Sequence, residues 1–224
     1  MELRAPERLV LPYTAAMTAA LLFGDAPRSA LMLGLGGGSQ ARFLAHHFSE
    51  LQLTAWESDA RAHALARRYF ELPSGSLRVI EEDARTGLRG RDLAADLIFV
   101  DLFTADGMPP WVRDAALHEA CRCALGAYGV LAVNLWVSAD DEALGVMDGL
   151  RSAFQGRILV LTLAGFRNLV VLAFERAPRL DFASLESHAR RLGQKIGVDY
   201  LQGWGIAKPK VLSEVTQDLS NMEK

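Results

Sequence analysis

The sequence predicts an α/β protein built on a mostly parallel seven-stranded sheet, with helices on both faces and an antiparallel last strand. Three observations carry this expectation. Short apolar runs alternate with helical patterns across residues 31–154. The last two apolar runs are joined only by Ala164-Gly165-Phe166-Arg167, a link so short that it permits only an antiparallel hairpin. The first run opens directly into Gly34-Leu35-Gly36-Gly37-Gly38-Ser39, a concentration of glycine that costs entropy unless a backbone must turn sharply or be approached closely.

The elements follow in order. The stretch LVLPYTAAMTAALLF before Ala30 reads as a short strand or loop and then a helix. Leu31 to Leu35 is the first strand, and the glycines lead into a helix from Ser39 to Phe48. LQLTAW (51–56) is the second strand. The helix after it runs from Asp59, a good N-cap, to Phe70 and stops before Pro73. LRVIEE (77–82) and ADLIFVD (95–101) are the third and fourth strands. A helix from Pro110 to Leu125 starts on proline and ends at Gly126. GVLAVNLW (129–136) is the fifth strand, followed by a helix from Ala139 to Phe154 with Asp140 and Asp141 at its positive end. RILVLTL (157–163) and NLVVLAFE (168–175) complete the sheet. LDFASLESHARRLG (180–193) is an amphipathic helix, and a mobile tail follows it. A parallel sheet that closes with an inserted antiparallel strand is the arrangement of the methyltransferase-type Rossmann fold. The dinucleotide-binding version is normally parallel throughout.

Composition narrows the function. The chain has 224 residues and a formal net charge of −3, which argues against a nucleic-acid partner. No run is long enough to span a membrane, and the N-terminus lacks a signal core, so a cytoplasmic location is expected. Cys121 and Cys123 have no second pair or histidines spaced to hold zinc. They read as buried structural thiols in a reducing compartment. His46 and His47 suit a helix C-terminus, His63 and His118 read as solvated helix positions, and no metal site is expected.

In an open α/β sheet, ligands bind beyond the carboxyl ends of the strands. Those ends deliver Gly34, Gly36, Gly37, Gly38 and Ser39, then Glu57 and Asp59, then Asp83, then Asp101 and Asp106, then Asn134 and Trp136. An acid after each of strands two, three and four suits an adenosyl ligand. Glu57 would accept from two ribose hydroxyls, Asp83 would take the adenine amino group, and the glycines would let the backbone approach the nucleoside. A nicotinamide dinucleotide is the rival, but its glycine fingerprint needs glycine or alanine where Ser39 stands. Glu57 and Asp83 also have bland readings as helix-start or turn acids. Asp101 has no packing duty and is a candidate base. Phe103, Trp111 and Trp136 read either as walls of an acceptor pocket or as core.

Together LPYTAAMTAALLF, LMLGLGGGSQARFL, TAWESDARAHALARRYFELP, LRVIEEDAR, ADLIFVDLF and GVLAVNLW resemble the spermidine/spermine synthase (polyamine aminopropyltransferase) family. The likeness runs from about Leu9 to Phe174 and is nearest to a bacterial branch with GLGGGS and VDLF. The resemblance implies a homodimer that transfers an aminopropyl group from decarboxylated S-adenosylmethionine to an amine. It implies that Glu57 and Ser58 hold the ribose and Asp83 with Ala84 the adenine. Asp101 would be the proton acceptor, and Tyr13 would line the substrate groove. Beside the resemblance, the residues themselves offer Asp106 for a distal ammonium and Phe103, Asn134 and Trp136 for the substrate side. It divides the chain into 1–29, a remnant of a substrate-side domain, 30–178, the catalytic unit, and 179–224, a helix and tail.

The sequence departs from the family pattern in three places. Gly37 stands where the family's glycine loop carries aspartate, Thr104 replaces the second acid after strand four, and Thr14-Ala15 follow Tyr13 in place of Gln-Glu. A di-cationic donor and a diamine need several carboxylates, because an unpaired buried cation costs several kcal/mol. Methyl transfer from S-adenosylmethionine itself, and a non-catalytic nucleoside-binding or interaction protein, therefore remain as alternatives.

Overall fold

The structure is a computed structural model, and the description takes in all residues except 1, 3, 90–92, 138–141, 179–180, 203 and 207–224. In chain order the elements are α1 (Pro12–Met17), a 3-10 turn (Thr18–Leu22), β1 (Ser29–Leu33), α2 (Ser39–His47), β2 (Gln52–Trp56), α3 (Ala60–Tyr69), β3 (Leu77–Ile80), α4 (Ala84–Gly87) and β4 (Ala95–Val100). A second 3-10 turn (Pro110–Arg113) precedes α5 (Ala115–Ala124), β5 (Leu125–Trp136), α6 (Glu142–Ala153), β6 (Ile158–Leu163), β7 (Asn168–Phe174), α7 (Phe182–Ile196) and β8 (Trp204–Ile206).

The strands form one sheet in the order β3-β2-β1-β4-β5-β7-β6-β8. The five strands from β3 to β5 are mutually parallel, and β7 inserts antiparallel between β5 and β6. This is the expected methyltransferase-type Rossmann-like sheet, extended by the short β8, which pairs antiparallel with β6.

Alternate residues of the central strands face opposite cores, so these strands are apolar on both sides. On one face Leu31, Leu33, Ile98 and Leu131 pack with Leu117 of α5, Val146 of α6 and Phe154 just after α6. On the other, Met32, Phe99 and Ala132 pack with Met17, Phe43 and Ile196 from α1, α2 and α7. The N-terminal α1 is thereby held at the same sheet end as the glycine turn.

Local chemistry fixes most boundaries. Asp59 caps α3 by accepting from Arg61 N at 2.9 Å, and Asp83 caps α4 by accepting from Arg85 N at 2.8 Å. Gly197, at φ +71°, closes α7.

Several expectations are corrected. The helix expected from Pro110 is broken at Asp114, whose extended backbone (ψ 127°) restarts it as α5. The fifth strand begins at Leu125, four residues early. Gly129 allows this, because a Cβ there would lie 2.6 Å from Ala95 O on the neighbouring strand. Cys121 is buried but Cys123 is exposed. His118 is not solvated: it is buried, with Nε2 against Val112 O at 2.8 Å. His63 is largely covered and meets Glu81 at 2.7 Å. Asp140, Asp141 and the tail from residue 207 lie outside the described residues. Among the described residues no helix is long and apolar enough to cross a membrane.

Candidate functional site

A cleft of about 800 Å³ opens at the carboxyl ends of β1 to β4, large enough for a nucleoside and a small second molecule. Its floor is the glycine turn. Gly34 has φ +91°, and a Cβ there would sit 2.4 Å from Asp101 O, so β1 and β4 close together only over a glycine. Gly38 has φ +70° and begins α2, and a Cβ there would meet Leu72 Cδ2 at 2.3 Å. Gly37 differs from both. It has no positive φ, and a Cβ would make only ordinary contact with the Phe70 ring at 3.8 Å.

The loop after β2 is held by Glu57. Its Oε2 accepts from Leu35 N at 3.1 Å and Gly36 N at 3.3 Å, and its Oε1 accepts from Asp59 N at 3.0 Å. One carboxylate thus ties the glycine turn to the start of α3. Ser58 lines the cleft beside it, as do Asp83 and Ala84 after β3. Arg85 is bonded to both Asp83 oxygens, holds that carboxyl below the usual carboxylate range, and stacks over Trp111 at 4.5 Å.

The Asp101 carboxylate, just past β4, is reached by two side chains. Asn134 Nδ2 donates to its Oδ1 at 2.8 Å, and the Tyr13 hydroxyl donates to its Oδ2 at 3.2 Å. Asn168 Nδ2 donates in turn to Asn134 Oδ1 at 2.9 Å, which fixes the Asn134 amide with its nitrogen toward Asp101. Burial raises the Asp101 carboxyl above the usual range, while the Asn134 and Tyr13 bonds act the other way. The Tyr13 phenol is pushed up by burial first and by the Asp101 charge second, so at neutral pH it stays protonated and donates to the carboxylate. An acceptor carboxylate with raised proton affinity, oriented by two neutral donors and open to a cleft, is equipped to take a proton from a bound amine.

The structure gathers most of the expected residues and sets others aside. Gly34, Gly36, Gly37, Glu57, Ser58, Asp83, Ala84, Asp101, Tyr13 and Phe103 all line the cleft. Gly38 supports the turn from beneath, and Asn134 is buried and acts through Asp101. Asp106 is exposed in the tight turn between Thr104 and Gly107 and does not line the cleft. Trp136 is 46% exposed at the end of β5, pairs with Asn168, and does not line the cleft either.

Two residues escaped the sequence reading. Arg42 is buried in α2 and donates to Pro6 O at 3.0 Å, to Gly37 O and Phe70 O at 2.6 Å each, and to Ser39 Oγ at 3.3 Å. It pins the N-terminal segment, the glycine turn and the end of α3 to one guanidinium. Gln40 lines the cleft and is buried. Its Nε2 donates to Thr14 O and to Met17 Sδ, both at 3.4 Å. Both sit inside an ordinary helical pattern, where only the fold reveals what they face.

No protein-family model matches the chain. It is 32% identical over 204 residues to a polyamine aminopropyltransferase of Neisseria meningitidis, covering 89% of this chain and 77% of that protein. Among solved structures, human methyltransferase-like protein 13 in complex with SAH superposes with a TM-score of 0.75 at 22% identity, covering 92% of this chain and 99% of that one. A probable spermidine synthase from Corynebacterium glutamicum gives the same TM-score at 19% identity, covering 96% of this chain and 81% of that one. At these identities the two structures establish the shared fold.

Proposed function

The chain belongs to the polyamine aminopropyltransferase family, and on that premise we propose that it transfers an aminopropyl group from decarboxylated S-adenosylmethionine to a small amine. The observation that carries this reading is the meeting of Asp101, Tyr13 and Asn134 in the same cleft as the glycine turn, Glu57 and Asp83.

In this reading the nucleoside lies against the glycine turn. Glu57 has about four acceptor positions and spends three on backbone amides, so one ribose hydroxyl takes the fourth. A second hydroxyl displaces the longest of those bonds, that from Gly36 N. The adenine amino group shares Asp83 with Arg85, and the base lies beside Trp111. On the other side of the turn, the acceptor nitrogen attacks the carbon next to the sulfonium. A C–N bond forms, the C–S bond breaks with its electron pair going to sulfur, and 5′-methylthioadenosine leaves. The surplus amine proton passes to Asp101. The protein's part is positioning, exclusion of water and acceptance of that proton.

The segment 1–29 serves as the substrate-side element by delivering Tyr13. A cytoplasmic homodimer is the proposed setting, and the free thiols of Cys121 and Cys123 suit a reducing compartment. Release of 5′-methylthioadenosine from the decarboxylated donor in the presence of an amine tests the reaction. A protein that binds the nucleoside yet turns over no amine would overturn it.

A second reading, methyl transfer from S-adenosylmethionine, is favoured by one observation. Gly37 leaves the turn without the carboxylate that a decarboxylated donor's ammonium would seek. Calorimetry with both donors separates the two readings, since tighter binding of the carboxylated donor supports methyl transfer.

A further inference from the structure

We propose that the acceptor half of the cleft is built for a primary amine with a single cation and an apolar chain, rather than for a diamine or polyamine. This inference takes its donor from the reading above, but it stands on how charge is distributed along the sheet.

The glycine turn after β1 divides the cleft. Glu57 and Asp59 follow β2 and Asp83 follows β3, so these three acids lie on one side of it. Each is already engaged: Glu57 by three backbone amides, Asp59 by Arg61 at 3.1 Å, and Asp83 by Arg85 at 2.7 Å. On the β4 side the lining carries one carboxylate among the described residues, Asp101. Around it stand Leu11, Leu102, Phe103 and Pro109, with the neutral polar groups of Tyr13 and Gln40.

A first ammonium therefore finds Asp101, with the neutral Gln40 amide in the same lining. A second ammonium at the far end of the same molecule finds aliphatic and aromatic carbon at a half-open rim, where Leu11 is 53% and Phe103 40% exposed, and no second carboxylate among the described residues. A cation drawn onto that surface gives up hydration without gaining a partner, whereas a methyl terminus gains from the same surface. Asp106, the carboxylate that sequence spacing offers for the distal cation, is exposed in its own turn and outside the lining. The site thus sorts amines by what they carry at the end that does not react.

The test is amine binding by calorimetry to the full-length protein saturated with 5′-methylthioadenosine, with n-butylamine and 1,4-diaminobutane as probes. The expected result is at least ten-fold tighter binding of n-butylamine. Thr104→Asp, which sets a carboxylate on the lining near Phe103, is expected to reverse that order. Asp101→Asn is expected to abolish n-butylamine binding. Equal or tighter binding of the diamine by the unaltered protein overturns the proposal, as does failure of n-butylamine to bind. Turnover is read separately. If n-butylamine binds more tightly yet neither amine releases methylthioadenosine from the decarboxylated donor, the aminopropyl reading fails while the acceptor preference stands.

Discussion

The Tyr13 hydroxyl donates to Asp101 Oδ2 at 3.2 Å, joining the first helix of the chain to the end of β4 across 88 residues. A tyrosine in the N-terminal segment is thereby brought into the cleft, and the proposed transfer makes Asp101 the proton acceptor beside it. Asp101→Asn keeps the shape of the network, since an amide can accept from Asn134 and donate to Tyr13. It removes the base. Turnover is expected to fall by roughly 10²–10⁴, with methylthioadenosine affinity unchanged by calorimetry. Stability moves the other way. A carboxyl whose folded-state proton affinity is raised favours the native state at low pH and loses that contribution as pH rises through the folded value. Asp101→Asn is therefore expected to raise Tm more at pH 8 than at pH 4.

Tyr13→Phe tests the coupling. The Tyr13 bond favours the ionised form of Asp101, so its loss raises the Asp101 proton affinity further. If the ionised carboxylate is the active form, the acid limb of kcat/KM against pH moves to higher pH in the variant. A limb that stays in place would show that Tyr13 only shapes the groove.

How much of this was legible in the sequence depends on the kind of signal. Glu57, Asp83 and Asp101 were readable because each follows an apolar run that can only be a strand, and topology then brings strand ends together. Arg42, Gln40 and His118 were not, because one polar residue in a helical pattern says nothing about which neighbour will cover it. Asp106 was misplaced for a related reason: two residues beyond Thr104 a tight turn intervenes and leaves the side chain in solvent. β8 escaped because three residues carry no periodicity, and its partner β6 lies far back in the chain.

The glycines of the turn are not equivalent. Gly34→Ala places a Cβ against Asp101 O at a positive φ and is expected to cost about 2 kcal/mol or more, read as a fall in the denaturation midpoint. Gly37→Asp meets only the Phe70 ring at contact distance, and its stability is expected to stay within about 0.5 kcal/mol. With the donor placed against the turn as proposed, the new carboxylate adds negative charge to its binding surface, so affinity for decarboxylated S-adenosylmethionine relative to S-adenosylmethionine should rise on the order of ten-fold, about 1.4 kcal/mol. An unchanged ratio would place the donor's amino end away from the turn.

Arg42 holds three carbonyls from three segments. Arg42→Met leaves Pro6 O, Gly37 O and Phe70 O without their donor, at an expected cost of about 2–4 kcal/mol. Because Gly37 is one of the three, the turn loosens along with the fold. The KM for the donor should rise by a larger factor than kcat falls, measured below the melting range. Arg42→Lys supplies a single point donor in place of a fork and should recover only part of both losses.

His118 links α5 to the turn before it and gives the fold an acid sensitivity remote from the cleft. Its Nε2 donates to Val112 O, and its Nδ1 is buried without a hydrogen bond. Burial lowers its proton affinity, offset in part by the Val112 carbonyl and the charge of Asp114. A base harder to protonate when folded contributes stability that is present above its unfolded pKa of about 6.5 and lost as pH falls below it. Between pH 8 and pH 5 the protein should therefore lose stability through this site as the unfolded chain takes up the proton. His118→Gln can keep a donor near Val112 O but does not titrate, so its denaturation midpoint should decline less over the same range. Parallel declines in the two proteins would show that His118 takes up its proton as readily in the folded state as in the unfolded one.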